Sequence, residues 1–363
     1  MLHRRLILSC CLSFLWSARS EAQLHPSVFL VSAYSSNIYG TTAPQSDWIT
    51  DALFSLDFDL PANTSLSYTG GASVFDQNED LFSHTHSAGV GYMRLLTDSE
   101  VLLLDAEMRT WIDHPSYSYY DYVQGELRLR WVQLEPSWRP DAGYTLRYRT
   151  YPRASGYRFT EHLFSGRSEQ SIATGLSVEF SSELGRRRYA ADATDLSSSP
   201  AGDQSQVQMT LSAGVTHEIS TDSRLHVSYC WLHAVAGRGS ELNEEADTGV
   251  DLAVDHYSYE GQKIQASLTQ EFAGVGFRGT SKLDIRNYSS RLALDMEGLP
   301  LGNGILRSDS RRSLELQVDR SLGIGADERL RLLLKWRYTD VDSNDLFYDA
   351  STQLYSTALR FAF

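Results

Sequence analysis

The sequence predicts an all-β fold, a transmembrane antiparallel up-and-down β-barrel of about sixteen strands, with fourteen as the alternative count. Three observations lead there. Strand-length segments alternate large apolar side chains with charged ones. The connections between them alternate too, tight turns with longer polar loops. Beyond the N-terminus, no run approaches the roughly 20 apolar residues that a spanning helix needs. The chain of 363 residues is 42% hydrophobic, with a mean hydropathy of −0.32, which excludes a multi-helix membrane protein but not a barrel. Its 20 Tyr, 14 Phe and 7 Trp are enough for aromatic girdles at two membrane interfaces.

Taken in order, the strands are expected near Ser27–Tyr39, Asp47–Leu60, Ser65–Phe75, Ser83–Leu96, Glu100–Ile112, Tyr120–Leu134, Ala142–Tyr151 and Tyr157–Gln170. The second half continues with Thr174–Tyr189, Gln206–Ser220, Ser223–Ala236, His256–Phe272, Phe277–Ser290, Ser310–Leu322, Arg329–Asp340 and the segment Asp349–Phe363. Pro136 and Pro140 are read as excluding a strand interior from Glu135–Asp141. Arg291–Leu306, with Pro300 and three glycines, reads mostly as loop. An even count puts both termini on one side. Fourteen strands would result if Ala142–Tyr151 and Tyr157–Gln170 paired irregularly.

Side-chain alternation gives each strand two unlike faces. Leu102, Leu104, Ala106 and Met108 oppose Asp105, Glu107 and Arg109; Leu127, Leu129 and Trp131 oppose Glu126, Arg128 and Arg130. Leu314, Leu316 and Val318 oppose Glu315 and Asp319, and Leu330, Leu332, Leu334 and Trp336 oppose Arg331, Lys335 and Arg337. Arg147, Arg149, Asp284 and Arg286 extend the charged series. An unpaired charge in a dry sandwich core costs far more than one strand contributes. The charged face is therefore expected to line a wet lumen and the apolar face to meet lipid, with closure removing the sheet edges. In that lumen, opposed acids and bases would set a transverse field, and arginine forks would suit carboxylate, phosphate or sugar hydroxyl groups.

Acidic residues outnumber basic ones 46 to 32, and only Lys263, Lys282 and Lys335 are lysines. Without a clustered basic stripe, nucleic acid is not an expected partner. Cys10 and Cys11 fall in the leader, leaving Cys230 alone, so neither an internal disulfide nor a cysteine metal site is expected. Residues 1–22 read as a signal peptide: Arg4 and Arg5, an apolar core from Leu6 to Trp16, and Ser20-Glu21-Ala22 for cleavage. Residues 23–363 then form the barrel. No cofactor is expected.

In the last segment, Tyr355, Thr357, Leu359, Phe361 and Phe363 share one face, opposite Leu354, Ser356, Ala358, Arg360 and Ala362. The pattern resembles the terminal signature of bacterial outer-membrane β-barrels, which end in Phe after alternating apolar residues. That resemblance implies that Tyr355, Leu359, Phe361 and Phe363 are read by the barrel-assembly machinery. Ser35-Ser-Asn-Ile-Tyr39, followed by Ser46-Asp-Trp-Ile-Thr50, resembles a pattern in outer-membrane proteins of the β-barrel porin type, some of them linked to exopolysaccharide export.

Other constellations could carry chemistry. Asp113-His114 and Asp255-His256 near the rim would suit an outer-membrane protease, but the Asp-Asp pair of the omptin type is missing. His217 and His233 occupy apolar-face positions of one hairpin, as a barrel phospholipase would need, without a distinctive motif around them. His84-Thr-His86 offers two imidazoles on one face and no evident third metal ligand. Glu241, Glu244, Glu245, Asp247 and Asp251, with Asp340, Asp342, Asp345 and Asp349, put acids in the long connections, where calcium or lipopolysaccharide bridging is an alternative to plain solvation. The expectation is a non-enzymatic pore in the bacterial outer membrane, passing small polar solutes, with lipid and lipopolysaccharide as surroundings. The alternatives are a polysaccharide-export port and a barrel enzyme.

Overall fold

The computed structural model describes residues 23–135, 137–154, 157–189, 205–236, 259–296, 299–302, 304–322 and 330–362. The expected leader, Asp255-His256, the acids from Glu241 to Asp251 and Phe363 lie outside the described residues.

Sixteen strands follow one another: β1 Gln23–Ser35, β2 Asp47–Leu60, β3 Thr64–Phe75, β4 Ser83–Thr97, β5 Glu100–Asp113, β6 Tyr122–Gln133, β7 Trp138–Thr150 and β8 Phe159–Ala173. Then come β9 Leu176–Tyr189, β10 Ser205–Ser220, β11 Ser223–Ala236, β12 Tyr259–Phe272, β13 Val275–Leu292, β14 Leu306–Leu322, β15 Leu330–Ser343 and β16 Ala350–Ala362. Each pairs antiparallel with its chain neighbours, and β16 closes on β1 from Ser27↔Ala362 to Ser35↔Leu354. The fold class expected from alternation is therefore the observed one. Sixteen is the strand count, because β7 and β8 pair regularly from Trp138↔Gln170 to Arg149↔Phe159.

One end of the barrel carries tight turns. Ala62 and Asn63 (φ 61° and 57°) and Ala273 with Gly274 (φ 51° and 73°) take the left-handed conformation that reverses a two-stranded ribbon. The other end carries the longer connections, including 36–46, 114–121 and 293–305. Both described ends of the chain, Gln23 and Ala362, lie at the tight-turn end.

Several boundaries differ from the sequence reading, and the most informative are these. β1 ends at Ser35 instead of reaching Tyr39, because Asn37 turns the chain: its side-chain amide donates to the Thr41 carbonyl at 2.7 Å. Pro140 lies inside β7. The β6–β7 ladder stops at Val132↔Asp141, so Pro140 pairs only with Ser168 of β8 and its missing N–H leaves no vacancy. β14 starts at Leu306 and β13 runs to Leu292, shortening the expected loop from both sides. β15 runs to Ser343, so Asp340 and Asp342 are strand residues, opposite Arg312 and Ser310.

Register carries one parity around the whole wall. Asp105↔Arg128, Glu126↔Arg147, Arg147↔Glu161 and Glu161↔Arg187 put one polar face in line across β5 to β9. The opposite face carries exposed Leu127, Phe164, Phe180, Leu211, Ile264 and Leu316. A single-layer wall has no second layer to cover such side chains, so an apolar medium must cover them. Trp48 and Trp231 stand on this face toward the long-loop end, and Trp138 and Phe272 toward the tight-turn end. That is the placement of two interfacial girdles.

Candidate pore wall

Two ion-pair networks occupy the polar face. In the first, the buried Glu126 carboxylate on β6 accepts from Arg147 Nε at 2.7 Å, from Gln124 Nε2 at 3.2 Å and from Arg128. Arg147 reaches on to Glu161 on β8 at 2.5 Å, and Arg187 on β9 meets the other Glu161 oxygen at 3.2 Å. The chain of charges Glu126–Arg147–Glu161–Arg187 thus ties four consecutive strands. Such a chain satisfies buried carboxylates that would otherwise be costly. Arg109 pairs with Glu107 at 2.8 Å, and Arg130 donates to Asp141 at 2.6 Å. Asp105 stands opposite Arg128 in register, but Arg128 donates to Glu126 on its own strand.

The second network spans β13 to β15. Arg307 forks onto Asp309 with two bonds of 2.8 Å, and the same carboxylate accepts from Ser343 at 2.7 Å, Tyr288 at 3.2 Å and Arg311 at 3.3 Å. Arg286 donates to Asp284 at 2.9 Å, and Arg337 and Lys335 share Glu315 at 2.7 Å and 3.4 Å. Arg331 meets Asp319 at 2.5 Å. Guanidinium groups also lie over rings: Arg286 over Tyr259 at 4.8 Å, and Arg307 over Tyr348 at 3.9 Å.

Fourteen of the fifteen charged residues expected on this face are held by polar contacts to their neighbours; Asp105 stands opposite Arg128 in register and acts electrostatically on Arg130. Sequence reasoning missed Glu161, Arg187, Arg307 and Asp309. Arg187 sits in the run Arg186-Arg187-Arg188, where composition does not tell which residue shares the polar face; register with Glu161 does. Arg307 and Asp309 fell in or beside a stretch read as loop.

Asp47 was singled out only through the Ser46-Asp pattern. The structure gives it a physical role. Its fully buried carboxylate accepts from the backbone N–H groups of Trp48, Asp76, Gln77 and Asn78 at 2.7–3.1 Å and from the Asn78 amide at 2.7 Å. It fastens the β3–β4 connection to the start of β2, beside the Asn37-clipped β1–β2 connection.

Among the described residues, the Asp113-His114 and His217/His233 pairs do not assemble into a catalytic arrangement. Asp113 accepts from Trp111 Nε1, while the adjacent His114 contacts Ser116 at 3.1 Å and Asp80 at 3.3 Å. His217 and His233 share the apolar face but stand apart, opposite Leu225 and Met209 respectively. His233 stacks on Trp231. His84 and His86 do meet, at 3.2 Å, with Tyr68 bonded to His86 at 2.8 Å; no group of three metal-binding side chains occurs among the described residues. At the rim, burial and a hydrogen bond with Tyr119 push the Tyr157 hydroxyl up to about 12. Burial and Tyr117 raise that of Tyr39.

No protein-family model matches the chain. No curated protein matches it in sequence. Solved structures do match its fold. OccAB3 of Acinetobacter baumannii superposes with a TM-score of 0.54 at 8% identity, over 94% of this chain and 100% of that one. OccD3 (OpdP) of Pseudomonas aeruginosa gives 0.53 at 9% identity, over 96% and 92%. OpdK of the same organism, solved with vanillate, gives 0.52 at 9% identity, over 94% and 98%. The fold of this chain is that of outer-membrane porin barrels.

Proposed function

We propose that the protein is a passive pore of the bacterial outer membrane, with the polar face as its lumen wall. The observation that carries this reading is the pairing of a closed single-layer wall with two unlike faces. One face is apolar and uncovered by protein; the other carries arginines and carboxylates held in mutual contact. Asp105, Glu107, Arg109, Glu126, Arg128, Arg130, Arg147, Arg149, Asp284, Arg286, Glu315, Asp319, Arg331, Lys335 and Arg337 line the water path in this reading. Fixed charges of both signs bias which small polar solutes enter, and no catalytic group is required. The likeness of fold to outer-membrane channels supports the location and the class of activity. Membrane lipid and lipopolysaccharide surround the apolar face, whose exposed Tyr355, Leu359 and Phe361 lead to the C-terminus.

Recording from the folded protein in planar bilayers tests the reading. Discrete, salt-dependent conductance steps are expected; silence from protein that shows heat-modifiable mobility on gels would overturn it. The assembly role of the last strand has a separate test. Removing Phe363 should lower the yield of heat-modifiable barrel in cells while refolding in detergent survives; equal yield in cells removes that role.

A further inference from the structure

Exposure along the polar face is graded. Toward the long-loop end, Glu161, Arg187, Gln208, Tyr259, Arg286 and Asp309, on six different strands, are all buried. Toward the tight-turn end the same face is more exposed on balance: the side chains of Arg167 and Arg331 are 48% and 52% exposed, beside the more shielded Asp141 and Asp319 at 14% and 17% and the buried Val101. A single-layer closed wall buries a side chain on its inner face only by packing other interior groups against it. The interior is therefore filled around its circumference at one end and more open at the other. By the rule of short inner turns and long outer loops, the filled end faces the cell exterior.

Within this filled collar most arginines have a carboxylate. Arg147 has Glu126 and Glu161, Arg187 has Glu161, Arg286 has Asp284, and Arg307 has Asp309. Arg149 differs. Its Nε and Nη2 donate to the Gln124 side-chain carbonyl at 2.9 and 2.7 Å, and its Nη1 reaches the Tyr151 hydroxyl at 3.4 Å. Its guanidinium lies over the Tyr122 ring at 4.3 Å and near Phe159 at 5.4 Å. All of these contacts are to neutral groups. They fix the guanidinium in place, and among the described residues it has no carboxylate partner. Arg149 is half-buried, so it is held by the wall while still reaching the interior.

We propose that the narrowest part of the channel is this outer collar, built from wall side chains, and that Arg149 is the residue that sets its preference for anions. The proposal rests on the pore reading above. In it, solutes are selected at the outer mouth, and the inner half is a wide vestibule whose charges matter less. A fixed cation in a constriction raises the local concentration of anions and lowers that of cations. The recognising chemistry, a planar cation flanked by aromatic rings, suits carboxylates and phosphates alike.

The test is the reversal potential across a potassium chloride gradient, for channels of the full barrel in planar bilayers. Arg149→Gln should lower the chloride-to-potassium permeability ratio roughly three- to tenfold, as expected for removing one nearby charge in a low-dielectric constriction. Arg149→Lys should keep the ratio within about twofold of the parent. Gln124→Glu supplies a carboxylate to Arg149 while giving up the Gln124 donor to Glu126; in folded channels it should lower the ratio like Arg149→Gln, and it covers the case that the latter does not fold. Arg360→Gln, at the tight-turn end of β16, should change it less than about twofold. Inorganic phosphate should reduce the parent's current more than that of Gln124→Glu. Channels with an unchanged ratio in both Arg149→Gln and Gln124→Glu, or with the larger change in Arg360→Gln, overturn the collar proposal alone. Silence from every folded variant, parent included, overturns the pore reading beneath it.

Discussion

Arg147 on β7 bridges two carboxylates, donating to Glu126 on β6 at 2.7 Å and to Glu161 on β8 at 2.5 Å, with both acids almost wholly shielded from solvent. Removing this cation leaves two carboxylates facing each other at a place with little water. Arg147→Met is expected to destabilise the barrel by about 3 kcal/mol, in the range for a broken buried pair. Urea unfolding in lipid vesicles measures this, and a loss below about 1 kcal/mol would mean that water reaches the pair freely.

The Asp47 carboxylate has the opposite kind of partner, a set of backbone N–H groups. Asp47→Ala would orphan the backbone donors of Gln77 and Asn78 and the Asn78 amide at once, while the Asp76 N–H keeps the Trp48 carbonyl at 3.0 Å. A loss of about 2–3 kcal/mol is expected, since each unsatisfied buried donor costs on the order of 1 kcal/mol or more. The visible sign is new protease cleavage within 76–82 of the folded barrel. Unchanged cleavage would show that the connection holds without its clip.

Charge on the apolar face should behave differently from charge on the polar face. Leu127→Arg, near the middle of β6, should cost about 2–4 kcal/mol or block assembly, the depth-dependent penalty for arginine facing lipid. Leu103→Arg places the same side chain on the neighbouring strand β5 and on the other face, opposite Arg130. It should assemble normally. Equal behaviour of the two variants would contradict the assignment of faces.

Alkaline pH should loosen the rim. The Tyr157 hydroxyl sits at about 12, above the value near 10 of an unfolded tyrosine. The folded state therefore holds the proton more tightly. Its contribution is complete below pH 10 and disappears as pH climbs to about 12. Tyr39 shifts in the same direction. Tyr157→Phe should flatten the fall in melting temperature over that window, and an unchanged slope would assign the fall to other groups.

Much of this fold is legible in the sequence, because a barrel wall between two solvents writes its geometry as a period of two. β2 and β11 start and end where alternation puts them. Alternation is weakest where a face is filled with small residues or where like residues run together. Thus Glu161 hides in a segment followed by Ser165-Gly166-Arg167-Ser168, and Arg187 hides between two other arginines. Pro140 misled the reading because its ladder is one-sided at that point, a fact of register between β6, β7 and β8. The graded filling of the interior depends on which side chains meet across strands far apart in the chain, and no local pattern encodes it.

Cysteine accessibility along β14 and β15 tests the central claim most directly. In a Cys230→Ser background, single cysteines replace Leu314, Glu315, Leu316, Leu334, Lys335, Trp336 and Arg337 in turn, and the membrane-embedded barrel meets a charged, membrane-impermeant thiol reagent. The account predicts rapid reaction at 315, 335 and 337 and protection at 314, 316, 334 and 336. Uniform reaction at all seven, or the reverse alternation, would contradict a wall with water on its charged face and lipid on its apolar one.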